Sequence, residues 1–279
     1  MTKTEGFITS LFRKGAISDS RAPRFTDATR LECGSFKLQF QIPIGAPFEI
    51  EASSDLREWS RIAHASSDRI AVEYVDSEAK KFRTRFYRIS AEAHRSQNIM
   101  GYASVKLPRG FRMVSNPFNA RNNAVAALFP EMPDGTTLCK FDTTLCRLGN
   151  NPVRGGHWAH YDDTLLPGEG AIFFNPGPEE RTVDFMGEVL QKNLQNVIPS
   201  GFSICSSQLP QAGRINTDLG FPLVPGDVIH TFDPIRQKYR VHHFGTPEWD
   251  EVPPRIGIGE SFWVGKTAVC NWIQKFPEA

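Results

Sequence analysis

The sequence predicts a mainly all-β protein, with a small N-terminal β-sandwich followed by two tandem β-rich lobes. Three observations carry that expectation. Gly (22) and Pro (20) are frequent beside a hydrophobic content of 40%, which suits short strands and many turns better than long helices. Apolar residues alternate at period two through several short segments. A set of residues recurs at one fixed spacing of 91 positions through the second part of the chain.

Taken in order, residues 1–30 read as an N-terminal arm. Phe7, Ile8, Leu11 and Phe12 fall at i, i+1, i+4 and i+5, one apolar side of a short helix, in a mildly basic segment. The arm is either a frayed terminus or an assembly arm that docks on a neighbouring subunit. It has no continuous apolar core and no small-residue cleavage site, so no secretory signal is expected.

Residues 31–95 read as the sandwich. Phe36, Leu38 and Phe40 alternate, Phe48 and Ile50 continue the pattern, Ile70, Val72 and Tyr74 alternate again, and Phe86–Ile89 closes it. Turn-forming breaks at 43–47, 53–55 and 76–78 separate about six strands.

Residues 96–188 and 189–279 read as two copies of one unit. Pro108, Gly110, Phe111 and Ser115 return as Pro199, Gly201, Phe202 and Ser206. Gly135 returns as Gly226, Phe141-Asp142 as Phe232-Asp233, Trp158 as Trp249, Gly168-Glu169 as Gly259-Glu260, and Phe185 as Phe276. Within each copy a Pro-x-Gly-Phe turn starts a strand whose inward residues are expected to be Phe111/Phe202 and Met113/Ile204. Asn122–Phe129 suits one or two helical turns. The Asp of Phe-Asp is placed to cap a hairpin turn. The apolar runs Ala171–Phe174 and Phe262–Val264 read as strands buried on both faces.

These stretches carry a resemblance. LPRGFRMVSNPFN, FPEMPDGTTLCKFD and LLPGEGAIFFNP, followed by GEVLQ and IPSGFSICSSQLPQAGRINTDLGFPLVPGDVIHTFD, resemble a repeat of uncharacterised, mostly exported proteins of planctomycete and verrucomicrobial bacteria. IEASSDLREWSRI and FRTRFYRI resemble the small β module that accompanies it. The resemblance implies a β fold and an extracellular or cell-surface location, and no activity. No signal peptide of the kind such proteins carry is expected from residues 1–30, and a cytoplasmic location stays open beside the exported one.

Charge and motifs narrow the function. Lys plus Arg number 32 against 31 for Asp plus Glu, so neither a nucleic-acid coat nor a polybasic membrane binder is expected. Lys81, Arg83 and Arg85 read as the solvated face of an antiparallel strand, not as a nucleic-acid stripe. No apolar run reaches the roughly 18–20 residues of a membrane span. Gly259–Thr267 misses the phosphate-loop spacing by one residue and has a strand core between its glycines. His157 and His160 offer metal ligands, but the second copy has no His at that place, so no metal and no cofactor are expected. Glu169 and Glu260 would need to face one cleft about 5–10 Å apart to act as a glycosidase pair; each more simply accepts turn amides within its own lobe.

Five cysteines without a CxxC pair argue against a zinc site. If TTLCKFD and TTLCRLG form a hairpin closing at Asp142-Thr143, Cys139 and Cys146 lie opposite each other, as a cross-strand disulfide or as two small apolar residues. Trp158, Tyr161 and Trp249 are the candidates for stacking on a sugar ring. The leading expectation is a non-enzymatic structural protein that assembles with itself through protein–protein surfaces. A carbohydrate-binding surface module, with polysaccharide as the partner, is the alternative.

Overall fold

The structure, a computed structural model, describes residues 22–92, 94–245, 249–250 and 252–277, with the backbone of Ile8–Ser10. Strands hold 51% of the chain and helices 4%, so the protein is mainly β, as the composition and the alternation predict. It divides into two compact units. The first comprises residues 1–103, 186–189 and 277–279, and the second 104–185 and 190–276. The sheets of both lobes belong to the second unit.

In the first unit, β1 (Ile8–Ser10), β2 (Arg24–Arg30) and β3 (Phe36–Gln41) share one antiparallel sheet with β6 (Ala71–Asp76), in the order β1–β6–β3–β2. A second sheet has β4 (Pro47–Ser53) between β5 (Ser60–Ser66) and β7 (Thr84–Ala91), with the short β8 (His94–Arg95) and the start of β9 (Met100–Leu107) also on β7. Alternation puts Phe36, Leu38, Phe40, Val72 and Tyr74 of the first sheet in one core with Phe48, Ile50, Tyr87 and Ile89 of the second. Phe36 stacks on Tyr87 with centroids 5.4 Å apart, and Phe40 meets Phe48 edge-on at 5.5 Å.

The arm differs from its expectation in two places. Residues 24–30 form β2, whose Phe25 is buried in the sandwich core. Ile8 lies in a strand, not a helix, with its backbone opposite Tyr74; an exposed sheet edge offers backbone partners that outweigh a short helical pattern. Phe7, Leu11 and Phe12 lie outside the described residues. The basic run also departs from expectation. Arg83 lies before β7 and is exposed, whereas Arg85 shares the inward parity of the core residues Tyr87 and Ile89 and is buried against Asp76 at 2.8 Å.

In the second unit, β10 (Gly110–Val114) is followed by a single helical turn, α1 (Val125–Leu128), within the expected segment. Next come β11 (Thr137–Asp142), β12 (Arg147–Arg154), β13 (His157–Trp158), β14 (Ala171–Asn175) and β15 (Arg181–Glu188), whose residues from 186 onward belong to the first unit. After β16 (Asn193–Ile198) the second lobe has β17 (Gly201–Cys205), β18 (Gly213–Arg214), β19 (Val228–Asp233), β20 (Lys238–His243), β21 (Arg255–Ile256), β22 (Phe262–Lys266) and β23 (Cys270–Lys275). The first lobe's sheet runs β10–β14–β11–β12–β13, and the second lobe's β17–β22–β19–β20.

The two sheets share their register position by position. Gly110 faces Asn175 as Gly201 faces Lys266. Thr137 faces Phe174 as Val228 faces Gly265, and Asp142 faces Arg147 as Asp233 faces Lys238. In both hairpins the leading Asp works as expected. Asp142 Oδ1 accepts the Thr144 and Leu145 amides at 2.8 and 2.9 Å, and Asp233 Oδ1 those of Ile235 and Arg236 at 2.9 and 3.0 Å.

Contacts between the lobes are reciprocal. Ser115 donates its N–H to Gly259 O (3.0 Å) and its hydroxyl to Glu260 O (3.2 Å). Ser206 does the same to Gly168 O (3.0 Å) and Glu169 O (2.8 Å). Contacts in which i meets j and j's counterpart meets i's are those of a twofold interface. The glycines permit the approach: Gly168 and Gly259 have φ of +95° and +75°, and a Cβ on Gly259 would lie 2.5 Å from Val105 Cγ2.

Candidate functional site

The outer faces of the two lobe sheets carry the most unusual surface among the described residues. Strand alternation places Phe202, Trp263, His230 and Tyr239 on the outer face of the second lobe, while Ile229, Phe262 and Val264 are fully buried beneath. The same parity in the first lobe brings out Phe111, Phe174, Phe141, Leu148 and Ile172. Phe111 and Phe202, expected inward, are 47% and 55% exposed. Both faces of these strands bear apolar side chains, so composition alone leaves their parity open.

Where the faces meet they line a cleft of about 690 Å³, with Phe141, Cys146, Leu148, Phe202, Tyr239 and Trp263 among its walls. Phe141 meets Trp263 edge-on at 4.9 Å between centroids, and Phe202 meets Trp263 at 6.4 Å. The Trp263 indole N–H donates to Tyr239 Oη at 3.3 Å. His230 is 6.0 Å from the Phe202 ring, and burial, then the neighbouring His243, pull its pKa below the ordinary imidazole value. This favours the neutral ring. A second hollow of about 430 Å³ continues along the second lobe past Phe202, Gly265, Val228, His230, Val241 and His243.

Each hairpin tip also rests on the opposite lobe. The Gln237 side chain bonds the Phe111 backbone in both directions, accepting the N–H at 2.7 Å and donating to the carbonyl at 3.0 Å. Cys146, the residue matching Gln237, lines the cleft with Gly201 and Phe202. Both tip residues have left-handed backbone, with φ of 49° and 53°.

The proposed stacking residues do not form one surface. Trp158 is buried, and its indole N–H donates to Phe129 O at 3.0 Å. Trp249 is half-buried between Phe244 and His242, with centroids at 5.1 and 6.4 Å. Tyr161 alone stands in solvent, 78% exposed. A sequence cannot separate a Trp that fills a lobe from one that faces a ligand. The better signal was Trp263, which alternates with the buried Phe262 and Val264.

Cys139 and Cys146 are not cross-strand partners. The hairpin loop is four residues long, Thr143–Cys146, so Cys139 faces Asn150 and Cys146 sits in the turn. Both are free thiols. Exposed Cys33 and Cys146 should therefore alkylate first with iodoacetamide. The Ser35 hydroxyl, with backbone hydrogen bonds, draws the Cys33 thiol down, whereas burial pushes Cys205 far up. Peptide mass spectrometry should find Cys205 unmodified until urea opens the lobe. Equal labelling of Cys205 and Cys146 in the native protein would contradict the packing.

Glu169 and Glu260 close turns of their own lobes. Glu169 Oε2 accepts the Leu166 N–H at 2.7 Å and pairs with Lys140 at 2.9 Å. Glu260 Oε2 accepts the Gly257 N–H at 2.9 Å, and burial raises its pKa against that bond and the pull of Arg112. His157 and His160 are exposed, and no cluster of three or more His, Cys, Asp or Glu suited to a metal occurs among the described residues. Lys266, the lysine of the near-miss phosphate motif, is buried in an ion pair with Asp227. No helix among the described residues is long and apolar enough to cross a membrane.

No family model, curated protein or solved structure matches the chain.

Proposed function

We propose that this protein is a non-enzymatic structural subunit, built from a small sandwich and two copies of one β unit, which assembles with itself through protein–protein surfaces. One observation carries the reading: Phe111, Leu148, Phe202, Tyr239 and Val241, each 41–55% exposed, lie together on the outer lobe faces around an aromatic cleft. Contiguous exposed apolar surface of this kind marks an interaction site. The cleft is poor in polar groups, and its indole N–H already has Tyr239 as partner. A polysaccharide would need hydrogen-bonding groups there, so a protein surface suits the cleft better. Location at the cell surface belongs to the same reading and rests on the resemblance; fractionation of the native cells tests it.

Sedimentation velocity on the full chain tests assembly. The wild-type protein should associate as its concentration rises, and Tyr239→Glu should weaken association by about tenfold or more by putting a charge on the apolar face. A strict monomer at every concentration would overturn the reading.

A further inference from the structure

The lobes differ at one matched position of their outer faces. In the first, the row Phe111–Phe174–Thr137 is filled, with the Phe111 and Phe174 rings 4.7 Å apart. In the second, the row is Phe202–Gly265–Val228. Gly265 stands where Phe174 would be, and the 430 Å³ hollow opens at that place. The first lobe thus displays what the hollow fits: an aromatic ring lying against the phenylalanine of the first strand. The ionisable residues that line the hollow are His230, His243 and Lys266, and the Lys266 ammonium is already taken by Asp227. No acidic side chain among the described residues lines it. With His230 favoured neutral and Lys266 paired, the exposed His243 ring is the group here that can donate to an acceptor, so an aromatic ring beside a carboxylate suits the lining.

The chain carries such a group on its other lobe. Tyr161 is 78% exposed and is followed by Asp162, also exposed. The turn that presents them is fixed from below: Asn151 bonds the His160 backbone in both directions at 2.7 and 2.9 Å, and Trp158 is buried beside it. A preformed turn loses little entropy on docking. The matching position of the second lobe holds Val252, so the first lobe has the aromatic–acid turn and the second lobe the hollow.

We propose that Tyr161 of one copy inserts its ring beside Phe202 in the Gly265 hollow of a second copy, with Asp162 against His243, and that repetition of this contact builds a head-to-tail assembly. One donor and one acceptor on different surfaces make a heterologous contact, which yields a ring or an open filament. The inference rests on the self-assembly reading above and names the contact that produces it.

Sedimentation of the full chain and its variants tests it. Tyr161→Ala should weaken association about thirtyfold, the scale of losing a buried aromatic anchor. Gly265→Phe fills the hollow as the first lobe does; its Cβ would lie 3.3 Å from the exposed Phe202 ring, which must give slightly. Asp162→Lys, on the exposed turn, is a further probe that leaves the core untouched and should also weaken association. Mixing Tyr161→Ala with Gly265→Phe supplies one intact donor and one intact hollow, so the mixture should form discrete 1:1 pairs and nothing larger. If wild-type chains assemble and all three variants assemble equally well, the Tyr161 contact is wrong while self-assembly stands. If the wild-type chain is a strict monomer, both fall.

Discussion

Lys266→Asn alone should cost the second lobe about 3–5 kcal/mol, far more than replacing Lys266 and Asp227 together. Lys266 and Asp227 form an ion pair with side chains 1% and 0% exposed. The ammonium also donates to Pro222 O at 2.8 Å, and the carboxylate accepts the Thr267 N–H at 2.9 Å, the Thr267 hydroxyl at 3.0 Å and the Val224 N–H at 2.9 Å. Removing the cation leaves an uncompensated buried anion, which is the expensive case. The first lobe shows that the fold does not need the pair. Its matching residues are Thr136 and Asn175, both buried, with Asn175 Nδ2 donating to Leu107 O at 3.0 Å and Glu179 O at 2.9 Å. Asp227→Thr/Lys266→Asn should therefore cost only about 1–2 kcal/mol, giving an interaction energy of about 3 kcal/mol or more in the double-mutant cycle. Urea unfolding followed by fluorescence of the buried Trp272 measures all four proteins. Additive single effects would show that the pair is not coupled.

The same pair sets an acid limit. Burial alone would raise the Asp227 carboxyl, but the Lys266 hydrogen bond and the Thr267 and Val224 amides outweigh it and hold the pKa below the ordinary 3.8. A carboxyl depressed in the native state stabilises fully above its unfolded value, and that stabilisation is lost as pH falls through the native value. The wild-type lobe should thus lose stability below about pH 4 more steeply than the double variant.

What the sequence reveals of this molecule is what local periodicity and turn chemistry encode. Phe36, Leu38 and Phe40 announce β3 because one face of that strand is core and the other solvent. Asp142, Asp233, Glu169 and Glu260 announce their turns because each bonds amides two or three residues away. The arm's last strand is silent: in RFTDATR only Phe25 is buried, too little for a pattern. Arg85 is misread because its charge suggests solvent, whereas it shares the inward parity of Tyr87 and Ile89 and is buried with Asp76 as its counter-charge. The Cys139–Cys146 geometry fails on a loop two residues longer than assumed. The cleft is hidden for a different reason. Phe202 and Trp263 read as buried from their own strands, and the surface they share with Phe141 and Tyr239 exists only once two sheets are placed side by side. The Gly265 hollow is visible in the sequence as a mismatch with Phe174, but its meaning requires the register that puts both beside a phenylalanine.

Asp76→Ala should cost the first unit about 3–5 kcal/mol, as much as truncating a core phenylalanine. Asp76 is 3% exposed at the junction of β6 and the 3-10 turn. Its carboxylate accepts the Glu78 N–H at 3.0 Å and the Tyr87 hydroxyl at 2.9 Å, and pairs with Arg85 Nε at 2.8 Å. Truncation therefore leaves a 7% exposed guanidinium without its counter-charge and a buried phenol without its acceptor. The phenols beside it register the same field: burial and then the Asp76 charge push Tyr74 up to about 12 and Tyr87 well beyond its ordinary value. Three graded variants separate the contributions. Tyr87→Phe removes one hydrogen bond and should cost about 1 kcal/mol, because the carboxylate keeps its other partners. Asp76→Asn keeps an acceptor for the turn amide but withdraws the charge, and should cost about 2–3 kcal/mol. Asp76→Ala withdraws both. Trp59, which stacks under Arg88 at 4.4 Å and donates its N–H to Leu56 O at 3.3 Å, reports on this unit, since the other four tryptophans lie beyond residue 103. If Asp76→Asn costs no more than Tyr87→Phe, the negative charge contributes nothing and the carboxylate is only a hydrogen-bond acceptor. A clear step between the two means that the ion pair with Arg85, not the turn cap, fixes β6 to β7 across the two sheets of the sandwich.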